Sequence, residues 1–150
     1  MPSAKAQKIV NKLYLIDTNT VSYIVRGTSP AARAHLIHLP ENSIAAISVI
    51  TEAEIHYGLA KAAQARALHS AMQGFLSRIR ILAWGSQEAQ TYGALRAALE
   101  ASGKTLGNLD MLIAAQAISA GAILVTNDKT FRQVKALRGI VNWATDLPRS

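Results

Sequence analysis

Short apolar runs alternating with helix-patterned stretches constrain this chain more than any other feature. Leu13-Tyr-Leu-Ile16, Ile44 to Ile50, Arg80-Ile-Leu82 and Ala122-Ile-Leu-Val125 read as buried strands, and Gly139 to Trp143 as an edge strand. Between them, Thr18 to Arg26 reads as a helix stopped by Gly27. Ser29-Pro30 opens a second helix that ends before Pro40, with Ser29 as cap and Pro30 at the first helical position. Further helices are expected from Thr51 to about Ala65, Arg66 to Arg78, a Ser86-capped start to about Ala101, Asn108 to Ala120, and Lys129 to Leu137. Strands that alternate with helices predict an α/β fold: a central parallel sheet of four to five strands with helices on both faces. In such sheets, function sits beyond the carboxyl ends of the strands.

The chain has 150 residues, half of them apolar, enough for one domain with its own core. That domain is expected over residues 13–147, preceded by a basic extension, 1–12, that carries Lys5, Lys8 and Lys12. There is no cysteine, which excludes disulfides, thiolate metal sites and a cysteine nucleophile. No apolar run has the length of a membrane span or a signal peptide, so a cytoplasmic protein is expected. Sixteen Lys and Arg against nine Asp and Glu give +7, a balance that draws polyanions such as nucleic acid but also serves solubility.

Four of the nine acids fall where the topology brings chain segments together. Asp17 follows the first strand, and Glu54 is expected in the first turn of the helix after the second. Asp110 is expected in the first turn of a helix, and Asp128 follows the strand to which that helix leads. Each has an ordinary explanation taken singly. Asp17 and Asp128 can cap helices, Thr51 and Glu54 match a capping box, and Asp110 favours the helix dipole behind an Asn108 cap. Together they predict more. Four carboxylates gathered at one sheet edge repel one another unless protons or cations neutralise them. An all-oxygen donor set selects Mg²⁺ or Mn²⁺, and such ions suit phosphodiester hydrolysis. Glu52 lies about 200° around the helix from Glu54 and reads as a solvated charge, whereas Gly58 leaves open space on the face of Glu54.

The wording of these segments resembles a known family. Leu15-Ile-Asp-Thr-Asn19 resembles the opening strand of PIN domains. Ile47 to Gly58, with Thr51, Glu54 and Gly58 in register, is similar to the second PIN motif. Gly107 to Ala115 is similar to the third, and Val125-Thr-Asn-Asp-Lys-Thr-Phe131 to the fourth. Within that family the motifs resemble those of VapC toxins of bacterial toxin–antitoxin pairs, over nearly the whole chain. The resemblance implies an endoribonuclease using Mg²⁺ or Mn²⁺, acting on structured RNA such as tRNA. It also implies a homodimer, and inhibition by a cognate antitoxin whose tail lies over the active groove. Gln116 departs from the pattern, standing where many relatives have His.

On this reading Asp17, Glu54, Asp110 and Asp128 hold one or two cations, with Asp17 and Asp110 central by the family pattern. Thr18, Asn19 and Thr126 are candidates to orient those carboxylates. With the four acids set aside, sixteen positive charges face five negative ones, +11, and Arg26, Lys61 and Arg96 are candidates for phosphate contact. His35, His38, His56 and His69 form no convincing ligand pair, though a histidine-only route through the 2′-hydroxyl would make the acids dispensable. Ala31, Ala32, Leu36, Ile37 and the stretch from Ala60 to Ala71 offer apolar surface for a dimer or an antitoxin helix. Two alternatives stay open. Asp17-Thr-Asn-Thr20 resembles the opening of haloacid-dehalogenase-like phosphatases, with Asn19 in place of their second Asp. A non-catalytic RNA-binding module of the same fold would keep the acids for structure.

Overall fold

A computed structural model describes residues 12–145. Most of the expected 1–12 extension, and residues 146–147 of the expected domain, lie outside that range; Lys12 itself opens the first strand. The elements run β1 (Lys12–Ile16), α1 (Thr18–Arg26), α2 (Pro30–Ile37), β2 (Ser43–Ser48), α3 (Val49–Lys61), α4 (Arg66–Arg78) and β3 (Arg80–Leu82). They continue with α5 (Ser86–Ala101), α6 (Asn108–Ala120), β4 (Ile123–Val125), a 3-10 helix (Lys129–Gln133) and β5 (Gly139–Val141). The five strands form one parallel sheet in the order β3-β2-β1-β4-β5.

Alternation along the strands splits the core between two faces. Leu15, Ala46 and Leu124 point to one side and pack with Leu95, Leu99, Met111 and Ile113 of α5 and α6. Ile16, Ile47 and Val125 point to the other and pack with Val21, Ile24, Ala32, Ile55, Leu59 and Met72 of α1 to α4. Trp143 closes this second core, buried, stacked on His35 and tilted against Tyr14. His35 is thereby a packing residue, in keeping with the absence of a convincing histidine ligand pair in the sequence. Among the described residues no helix is long and apolar enough to cross a membrane.

Several boundaries differ from the sequence reading, each for a local reason. β2 ends at Ser48, not Ile50, and Ser48 caps α3 by accepting from the Ile50 amide at 3.0 Å. The expected Thr51–Glu54 capping box is therefore absent. Thr51 is buried inside the helix, and Glu54 lies in its second turn instead of its first. α3 stops at Lys61 rather than near Ala65. Gly85 and Gly107, not Ser86 and Asn108, occupy the cap positions of α5 and α6; Glu88 reaches back to the Gly85 amide at 3.0 Å. The expected last helix, Lys129 to Leu137, shrinks to a 3-10 helix followed by irregular chain. There Phe131 N bonds Asp128 O, Val134 N bonds Phe131 O and Leu137 N bonds Val134 O. That three-residue spacing places Phe131 and Val134 on one side, where both are buried.

Candidate active site

The sheet order fixes where a site can form. The chain winds from β1 outward through β2 to β3, then returns to build β4 and β5 on the other side. Helices after β1 and β4 thus diverge, leaving a crevice beyond the carboxyl ends of these two neighbours. Ile16 pairs with Val125, and Val125 with Val141, so Asp17, Thr126 and Asn142 follow side by side on that edge. The backbone continues the ladder by one step: Asp17 N bonds Val125 O and Thr126 N bonds Val141 O, both at 3.0 Å.

Asp17 is held on every side. One carboxylate oxygen accepts from the Thr20 amide at 2.8 Å, capping α1 as an ordinary helix start requires; the other accepts from the Thr126 hydroxyl. The residue is only 5% exposed, so its charge is costly. Burial pushes its pKa above the usual aspartate value of 3.8; the bonds from Thr126 and Thr20 pull the other way, and Asp128 adds a smaller upward push. Thr126 also accepts from the Asp128 amide at 3.0 Å, tying the ends of β1 and β4 together.

The other acids surround this fixed point. Burial raises the pKa of Asp110 as well, with further upward contributions from the charges of Asp128, Glu54 and Asp17. Four carboxylates from four segments therefore share one electrostatic neighbourhood. Glu54 accepts from the Thr18 hydroxyl at 2.7 Å, and the same hydroxyl lies 3.3 Å from that of Thr51. Glu52 instead turns to His56, 3.5 Å away on its own helix. Asp128 caps the 3-10 helix, one oxygen accepting from both the amide and the hydroxyl of Thr130. Asp110 accepts no hydrogen bond from the described residues. Its carboxylate occupies space that Gly107 leaves free, since a Cβ there would stand 3.3 Å from Oδ2.

Proximity is not yet coordination. Among the described residues, no three Asp, Glu or His side chains stand as a ready set of ion ligands. The bonds show where the oxygens go: those of Asp17 and Asp128 are spent on Thr20, Thr126 and Thr130, and Glu54 is turned to Thr18. The donor set is still that of a hard divalent cation, all carboxylate oxygen with no sulfur. The unpartnered Asp110 and the open space beside Gly58, where a Cβ would meet nothing within 4 Å, leave room to close around one.

The remaining candidates separate. Thr18 and Thr126 do bond carboxylates, whereas Asn19 is exposed and bonds none of the four. Arg26 ends α1, about 12 Å along the axis from its Asp17-capped start, and bonds Ser22. Lys61 ends α3 and lies over the Tyr57 ring. Arg96 is engaged by Glu100 and Tyr92 on its own helix. Gln116 is buried with both polar atoms engaged, accepting from Ser48 at 2.8 Å and donating to Ala83 O at 3.0 Å. Sequence reasoning missed Ser48 and Tyr23; the latter accepts from Asn127 at 2.9 Å and joins α1 to the loop after β4.

Comparison with known proteins places this geometry. The family model for the PIN domain matches residues 14–137. Ribonuclease VapC2 of Rickettsia felis is 36% identical over 132 residues, covering 87% of this chain and 98% of that protein. The tRNA(fMet)-specific endonuclease VapC of Shigella flexneri is 32% identical over 126 residues, 83% of this chain and 94% of its own length. Among solved structures, VapBC2 of Rickettsia felis, bound to a DNA fragment from its promoter, superposes with a TM-score of 0.81 over 87% of this chain and 98% of that one, at 36% identity. The chain belongs to the PIN domain family, among relatives that bear the name VapC.

Proposed function

We propose that this chain is a Mg²⁺- or Mn²⁺-dependent endoribonuclease and the toxin of a VapBC-type pair. The observation that carries the reading is the shared electrostatic neighbourhood of Asp17, Glu54, Asp110 and Asp128 at the switch between β1 and β4. Asp17 and Asp110 would hold the cation, with Glu54 and Asp128 beside them. When bound, it supplies charge neutralisation and activation of water for in-line attack on the scissile phosphate, leaving 5′-phosphate and 3′-hydroxyl ends. The chain's own contribution is positional. Thr126 and the Thr20 amide aim the Asp17 carboxylate, and Thr18 holds Glu54 from the neighbouring helix. Purified protein should cut RNA, tRNA included, with Mg²⁺ or Mn²⁺. Undiminished cutting in excess EDTA would overturn the reading and favour a histidine route through the 2′-hydroxyl.

The partner reading rests on the solved VapBC assembly of the relative and on a groove in this chain. A cavity of about 600 Å³ between α1, α2 and α4 is walled by Ile24, Leu36, Ile37 and Phe75, with Arg33 and Arg78 at its rim. Ile37 is 69% exposed, an apolar residue suited to receive an antitoxin helix. Tyr57 and Leu109, also exposed, lie on α3 and at the start of α6 and suit a homodimer contact. Light scattering with and without the antitoxin tests both: a monomer alone removes the dimer, and an Ile37→Asp variant that still binds antitoxin removes the groove. Action on cytoplasmic RNA is part of the same proposal.

A further inference from the structure

The carboxylates assigned to the reaction present negative charge to a substrate that is itself a polyanion. Nearby cations have to offset that repulsion if RNA is to enter. The three cations singled out in the sequence do not fill that role well. Arg96 is paired with Glu100, Lys61 lies over Tyr57, and Arg26 stands at the far end of its helix.

One cavity does adjoin the acidic centre. It measures about 250 Å³, lies beyond the carboxyl ends of β4 and β5, and is walled by Asn127, Asp128, Lys129, Arg132 and Asn142. We propose that this cavity binds the RNA backbone phosphate next to the one being cut, with Lys129 and Arg132 supplying charge and Asn142 a directed amide donor. The proposal rests on the nuclease reading for the position of the scissile bond, which Asp128 borders as the wall shared by the cavity and the acidic cluster.

Three features support it. Neither Lys129 nor Arg132 forms an ion pair with another described residue, which leaves both available to a ligand. Asp128, in the same wall, makes no ion pair with either; one of its oxygens accepts from the Thr130 amide and hydroxyl. Asn142 accepts from the Ala144 amide at 2.9 Å through its oxygen, leaving its NH₂ as the group with donors to offer. The cavity between α5 and the 3-10 helix also carries lysines, Lys104 and Lys135, but none of the four acids lines it, so it does not border the acidic centre.

The test is binding rather than cleavage. The full chain carrying Asp17→Asn is titrated against a fluorescent single-stranded RNA in Mg²⁺ over a range of salt. Arg132→Ala and Lys129→Ala, both at exposed positions, should each weaken binding about tenfold at low salt. Each should also flatten the dependence of log K on log salt by about 0.7, the signature of one lost phosphate contact on a single strand. An RNA with a neutral methylphosphonate one linkage from the cut should lose as much with the unsubstituted cavity, and no more with Arg132→Ala. Unchanged affinity and slope in both variants would overturn the subsite, as would losses that simply add. If the wild-type chain never cuts RNA yet these binding effects appear, the nuclease reading falls while the phosphate site stands.

Discussion

Asp17 and Asp110 carry the same side chain into the same crevice, yet the fold treats them oppositely. Asp17 is buried with both oxygens committed, one to a backbone amide and one to Thr126. Asp110 is half-buried, accepts nothing from the described residues, and is given room by Gly107. Both pay for desolvation, which raises each pKa above 3.8. The difference separates two tasks. One carboxylate is a fixed reference built into the sheet edge, and the other is free to swing toward whatever charge arrives.

The largest effect should come from the fixed member. Asp17→Asn keeps the shape and the helix cap but removes the charge, and should cut RNA cleavage by about a thousandfold with the fold retained. Thr126→Val keeps the charge but releases its aim, and should lower cleavage by about ten- to a hundredfold. Asp110 has no such orienting partner, so only its own removal should approach the Asp17 loss. Initial rates on one RNA check all three. Equal activity of Thr126→Val and wild type would dissolve the distinction between held and free carboxylates.

Stability should respond with the opposite sign. A raised folded-state pKa means that the native state holds its protons to higher pH than the unfolded chain. Stability without metal should therefore be greatest below 3.8 for these groups and fall as pH rises through the raised folded-state values. At neutral pH, Asp17→Asn should melt higher than wild type in EDTA, and Mg²⁺ should raise wild type more than the variant. A lower melting temperature for Asp17→Asn under those conditions would show that its hydrogen bonds outweigh its desolvation. Gly107→Ala probes the free member more gently. Its Cβ would press on the Asp110 carboxylate at 3.3 Å, and cleavage should drop about three- to tenfold through weaker metal affinity.

Much of this arrangement was legible in the sequence because it follows from short-range rules. β1 and β4 ended where their apolar runs ended, and Asp17 and Asp128 were marked by their position just beyond them, Asp110 by its place in the first turn of a helix. What escaped was set by partners distant in sequence. Ser48 was legible as a strand residue, but not as the strand's last residue and the cap of α3, whose hydroxyl meets Gln116 68 residues away. The Thr51–Glu54 box was plausible locally, but Thr18 from α1 took the Glu54 carboxylate and left Thr51 in the interior. The last helix differs in its closure: Val134 N bonds Phe131 O three residues back instead of four, and Phe131 and Val134 are buried on the side this makes. Cations were the weakest inference: a Lys or Arg has no sequence signature for the end of the sheet it will face, so Lys129 and Arg132 went unmarked.

The smallest predicted effect concerns the space beside Glu54. Gly58 sits one turn beyond it, in the last turn of α3, where glycine costs a helix up to about 1 kcal/mol relative to alanine. A Cβ there would meet nothing within 4 Å, so no packing within the described residues explains the glycine. Gly58→Ala should raise the melting temperature in proportion to that 1 kcal/mol while lowering cleavage several-fold, if substrate or a dimer partner uses the gap. Light scattering then tells the two apart. Reduced cleavage with an unchanged oligomer assigns the gap to substrate, and a weakened oligomer assigns it to the second copy. Full cleavage with a higher melting temperature would show that Glu54, unlike Asp110, needs no open ground beside it.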